Sequence, residues 1–262
     1  MALAVNYSLP LEELILAGAV QVDKLKCPEW KGIVVRALKT RPVYIHAEIA
    51  LGNGSVRKLD FAHLREMLES VNNPYVNTHL GAPAHADGKP SITDEELLVR
   101  WQQDLALLRE QLPGYQVICE NLPGMPYLPE LEQAANPDLI HQFLTENDCG
   151  LLLDISHARM TSFYCGYDWM DYIRRLPMER LQELHVTGIK DYRGIRTDHF
   201  ELVGEDWDVA RWAADQIKTG QWQKPVIVAF EYGGVGEVFR WRCDERHLRD
   251  QVPLLYELFH AV

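Results

Sequence analysis

The sequence holds no CxxC pair, no run of lysines and arginines, and no stretch of about 18 uninterrupted apolar residues. Each absence removes a class of protein. The five cysteines (Cys27, Cys119, Cys149, Cys165, Cys243) are odd in number and scattered, which fits reduced thiols rather than a disulfide framework or a thiolate metal site. Acidic residues outnumber basic ones 38 to 26, a net charge of −12, and that balance disfavours a nucleic-acid partner. The missing apolar run argues against a membrane helix. The opening MALAVNYSLPLEELILAG lacks the basic start and long apolar core of a secretion signal, so a cytoplasmic protein is expected. No GxSxG elbow, P-loop or dinucleotide fingerprint is present.

What the sequence does contain is alternation. Short apolar or β-branched runs at 3–8, 20–26, 43–49, 75–81, 115–122, 150–157, 181–188 and 226–233 read as strands. Amphipathic patterns over 60–71, 93–112, 208–219 and 245–261 read as helices between them. Thr93 and Glu96 form a capping box, and Pro253 is expected to kink or break the last helix. Eight strands alternating with helices over 262 residues predict an α/β chain forming one domain, 1–262, a single (β/α)8 TIM barrel. The polar stretches 79–91 and 191–207 are expected to be long functional loops.

Polar residues fall where such a barrel carries its chemistry. Alternate strand residues share a face, and the inward set includes His46, His79, Glu120, Asp154, His185 and Glu231, each at or near the C-terminal end of its strand. Asp154 and His157, three apart, converge only if the strand stops near Asp154 and the chain turns. Asp198 and His199 follow His185 within a polar connection. These nine residues are the candidate metal ligands, rich in imidazole and carboxylate and without a thiolate; they suit iron, manganese, zinc or cobalt, and they exceed what one ion takes. Glu120 and Glu231 are the natural acid–base pair. Arg159, Arg193, Arg196 and Trp207 are candidate substrate contacts. Glu183 is assigned a structural ion pair with Lys24 or Lys26, and Asn77 and Asn121 a supporting shell around the ligands. YGGVGE (232–237) is either a phosphate cradle or a close-packed bend.

The series Glu120, Asp154-x-x-His157, His185, Asp198-His199 and Glu231 resembles the xylose-isomerase-like barrel superfamily. That group holds sugar isomerases and epimerases, endonuclease IV-type phosphodiesterases, and multinuclear non-haem iron oxidases that modify peptides. HAEIALGNGSVRKLDFAHLREML (46–68), NTHLGAP (77–83), CENLPG (119–124) and LLLDISHARMTS (151–162) are similar to segments of the iron oxidases. His157 stands where that family typically has Asn, and the adjacent Asp198-His199 where it has Asp-x-His; Asp-x-x-His is instead the isomerase and phosphodiesterase pattern. The resemblance implies two or three divalent ions, iron foremost, and oxidative chemistry on a small molecule or peptide. Isomerase or epimerase activity and phosphodiesterase activity are the alternatives.

Overall fold

The computed structural model describes residues 1–83, 92–125 and 128–262. Beyond residue 83, the long segment expected over 79–91 lies outside the described residues until Ile92. Strands run, in chain order, β1 Ala2–Asn6, β2 Lys24–Cys27, β3 Val43–Ile45, β4 Ala50–Leu51, β5 Val76–Leu80, β6 Val117–Glu120, β7 Gly150–Asp154, β8 Leu181–Val186, β9 Gly188–Tyr192, β10 Ile195–Phe200 and β11 Ile227–Phe230. Two compact units emerge: Met1–His46 with Gln182–Val262, and Ala47–Leu181.

In the first unit β3, β2, β1, β11 and β8 lie side by side, all parallel. Pairing of the first strand with the last is the neighbour relation that a closed barrel requires. Leu3, Ala4, Val5, Ile227, Val228, Ala229 and Phe230 are fully buried, as strands covered on both faces must be. In the second unit β4, β5, β6 and β7 are parallel neighbours. The helix Asp94–Gln111 opens with the expected capping box: Thr93 N–H donates to Glu96 Oε2 at 2.8 Å, and Glu96 N–H to Thr93 Oγ1 at 3.2 Å.

Four expectations are corrected. The run 43–49 is strand only over β3, Val43–Ile45; the two-residue β4, Ala50–Leu51, lies beyond it and opens the second unit with an extra short strand. The run 150–157 is strand only to Asp154; helix Ile155–Cys165 follows without a loop. The segment 191–207 is not a loop, because β9 and β10 form an antiparallel hairpin within it. Of the two outcomes expected at Pro253, the break does not occur: the final helix continues over Glu245–His260 with the proline inside it. Leu248, Val252, Leu255 and Phe259 bury one stripe on both sides of the proline, and that packing outweighs a cost of about 3 kcal/mol. Among the described residues no helix is long and apolar enough to cross a membrane.

Candidate metal centres

In the second unit three strands end on potential ligands. β5 carries His79, β6 stops at Glu120 and β7 stops at Asp154. Asp154 then serves as N-cap of the next helix, its Oδ1 accepting the His157 N–H at 2.8 Å. That cap is the turn needed to bring Asp154 and His157 together: His157 stands in the first helical turn, its Nε2 3.7 Å from Asp154 Oδ2. Two ligand atoms of one tetrahedral ion lie roughly 3.4 Å apart when each bond is about 2.1 Å, so the spacing suits a shared ion. Glu120 completes the group, with Oε1 3.3 Å from His157 Nδ1 and Oε2 3.3 Å from His79 Nε2. Donor atoms of Glu120, Asp154 and His157 all lie within 4.8 Å of one another.

Backbone carbonyls fix how these imidazoles face. His157 Nδ1 lies 2.8 Å from the Asn121 carbonyl and His79 Nδ1 3.1 Å from that of Ile49. A carbonyl accepts only, so it holds the proton on Nδ1 and leaves the Nε2 lone pair for a metal. Asn121 also clamps the end of β7, accepting from Asp154 N–H at 2.9 Å and donating to its carbonyl at 3.0 Å. Asn77 clamps Ala47 in the same way, at 3.1 Å in both directions.

The first unit builds a second group. Glu183 and His185, two apart on β8, share a face, and His185 Nε2 lies 2.7 Å from Glu183 Oε1. Tyr44 on β3 donates to the same Glu183 oxygen at 2.9 Å. His46 directly follows β3, its ring centroid 5.2 Å from that of His185. His46, Glu183 and His185 offer donor atoms within 4.8 Å of one another. Glu231 follows β11, with Oε1 3.4 Å from His185 Nδ1. Lys26, on β2, is ion-paired to Glu231 Oε1 and lies 3.2 Å from His185 Nε2. Burial alone would raise the Glu231 carboxyl, but His185 and Lys26 beside it hold it well below the usual carboxylate range.

The adjacent Asp198 and His199 sit where β10 slips register, between Thr197 and Phe200, and His199 adopts a left-handed φ of 65°. The bulge lets neighbours that a regular strand would oppose lie near each other. His199 Nε2 is 3.7 Å from Asp198 Oδ1, and its Nδ1 is 3.2 Å from the Glu231 carbonyl.

A sequence profile of the RiPP precursor modification enzymes MbnB/TglH/ChrH matches residues 29–223. The chain belongs to that family. It is similar to a UPF0276 protein of Pseudomonas aeruginosa, 30% identical over 195 residues that cover 68% of this chain and 67% of the relative. A UPF0276 protein of Acaryochloris marina is 24% identical over 210 residues, 78% of this chain and 71% of the relative. Among solved structures, a D-psicose 3-epimerase from Clostridium cellulolyticum aligns over 100% of this chain and 99% of its own, with a TM-score of 0.66 and 12% identity. At 12% identity that likeness shows the fold alone, an α/β TIM barrel, and the MbnB/TglH/ChrH assignment makes the chain an enzyme.

Against this family background the remaining expected residues divide. Arg193 and Arg196 sit on the β9–β10 hairpin, Arg193 at its exposed tip against the Tyr192 ring at 5.2 Å. Arg159 lies two residues past His157 on the same helix, and Trp207 is half-buried in the first turn of helix Glu205–Lys218. None of the four is among the residues of the metal-competent donor groups. YGGVGE is a close-packed bend: Gly233 has φ 121°, and a Cβ there would stand 2.9 Å from the Asn6 carbonyl oxygen. Sequence reasoning missed two participants. Glu183 joins the His46–His185 donor group instead of forming an ion pair with Lys24 or Lys26, and the partner of Lys26 is Glu231. The signal for Glu183 was its position two residues before His185, on the same face of one strand.

Proposed function

We propose that the chain is a metal-dependent enzyme performing oxidative chemistry on a peptide, with two or three divalent ions, iron foremost. The observation that carries this is that each unit has its own His/carboxylate donor set at its strand ends. One is Glu120, Asp154 and His157 with His79; the other is His46, Glu183 and His185 with Asp198, His199 and Glu231. Two donor sets favour multinuclear chemistry, whereas polarising a single sugar carbonyl needs one. The donors fit such ions: imidazole and carboxylate, no thiolate, with Nδ1 of His79 and His157 engaged by carbonyls so that Nε2 is the atom that would hold an ion. The peptide class follows from the family description, RiPP precursor modification.

When bound, iron supplies one-electron redox chemistry and open coordination positions for substrate. The chain's own residues do the remainder in this proposal. Asn121 orients Asp154 and His157, and Asn77 fixes the backbone next to His46. Glu120 moves a proton to and from the substrate, and Glu231, held ionised beside His185 and Lys26, gives none. Arg159, Arg193, Arg196 and Trp207 hold the peptide, with the two hairpin arginines suited to its acidic groups.

Elemental analysis of tag-free protein purified without chelators tests the reading. Two or three equivalents, mainly iron, are expected. A single equivalent of manganese, cobalt or zinc, with oxygen-independent turnover of a ketose, would replace it with epimerase chemistry. Protein without metal, and without uptake on reconstitution, would overturn the ligand assignment.

A further inference from the structure

Lys26 is the unexpected member of the first unit's donor group. Its side chain is only 6% exposed, and its Nζ bridges Glu231 and His185. A buried ammonium is tolerated only against a carboxylate, and here that carboxylate is one of the group's two glutamates. The other, Glu183, is engaged through Oε1 by Tyr44 and His185. Lys26 therefore stands where a second cation would have to sit, on Glu231 and His185, and its charge would repel one. Both partners of the ion pair lie outside residues 29–223, the span matched by the family profile.

We infer that Lys26 is a built-in cation that restricts the His46–Glu183–His185 group to one divalent ion and holds Glu231 as its own counter-ion. The inference rests on the metal-binding reading above and specifies it: one position that the carboxylates would otherwise give to a metal is filled by the side chain. Lys26 is thus a positioning residue that sets metal number.

The test is equilibrium dialysis of chelator-stripped full-length protein against Mn²⁺ alone, read by elemental analysis and by electron paramagnetic resonance of free Mn²⁺. Wild type is compared with Lys26→Met, Lys26→Gln and Lys26→Arg, with circular dichroism to check folding. Both neutral variants are expected to bind one more equivalent than wild type, or to tighten the weakest site at least tenfold. Lys26→Arg, which keeps the charge, is expected to match wild type. Adding Glu231→Gln to Lys26→Met should remove the extra equivalent. Equal stoichiometry and affinity in wild type and the folded neutral variants would overturn the inference while leaving the metal reading standing. Should Lys26→Met fail to fold, Lys26→Gln decides by the same criterion, its amide still donating to Glu231. Failure of both neutral variants to fold would also overturn it, since Lys26 would then be required for the fold itself. Wild type that binds no Mn²⁺ would overturn both readings.

Discussion

Asp154 has two duties that one pair of substitutions separates. As N-cap it accepts the His157 N–H at 2.8 Å, and as donor it stands with Glu120 and His157 inside 4.8 Å. Asparagine keeps the cap, because Asn and Asp are equivalent there, but removes the anion. Without metal, two carboxylates no more than 4.8 Å apart repel by about 3.5 kcal/mol or more at an effective dielectric near 20. Asp154→Asn is therefore expected to stabilise the chelator-treated protein by about 1–3 kcal/mol while weakening metal binding more than the roughly 10–100-fold typical of outer-shell changes. Asp154→Ala loses the cap, about 1 kcal/mol, and strands the buried His157 N–H, a further 1–3 kcal/mol or so, which cancels the relief of repulsion. The assay is urea unfolding of wild type and both variants, each with chelator and with added Mn²⁺. The expected signature is an inversion: Asp154→Asn more stable than wild type without metal, and less stable with it. If Asp154→Asn were destabilised equally in both conditions, Asp154 would be a cap and nothing more.

Two further outcomes follow from the packing. Gly233→Ala forces a φ of 121° on a residue with a Cβ and sets that Cβ 2.9 Å from the Asn6 carbonyl oxygen, so a loss of about 1–3 kcal/mol is expected by urea unfolding; an unchanged midpoint would mean the bend is free to open. The Cys27 thiol is buried, and burial pushes it up to about 12, so its thiolate appears only as pH approaches that value; a disulfide reagent at pH 8 should leave Cys27 unlabelled in native protein and label it in urea, and rapid native labelling would contradict the burial.

The strands were legible because each buried run is short, apolar and bounded by turn residues, and period-2 phasing put His46, His79, Glu120, Asp154, His185 and Glu231 at strand ends. The hairpin was not, because GIKDYRGIRTDHF carries charge at most positions and its alternation is weak. A usable signal was there: Arg193 and Gly194 take φ of 54° and 81°, the two-residue primed turn that an X-Gly pair favours, and Tyr192 pairs with Ile195 across it. The bulge at Asp198–His199 left no such mark. Periodicity assigns adjacent strand residues to opposite faces, and only the observed register slip overrides that rule.

Lys26 shows where sequence reasoning reaches its physical limit. Phase along one strand says which way a side chain points, but not which residue of another strand shares its level. That is decided by register, and in parallel strands register comes from packing along the whole sheet. Here Lys26 stands level with Asn6, and Val5 with Phe230, so one step further along β1 brings Glu231 to the level of Asn6 and Lys26. Ala229 is level with His185, which puts the imidazole one layer below. Shifting β2 by one residue would reverse the facing of Lys26 and send its ammonium away from Glu231. The ion pair is thus a consequence of two strand registers set by Leu3, Ala4, Val5 and their apolar neighbours. The same core residues that make the fold legible also fix a charge in the donor group that no motif announces.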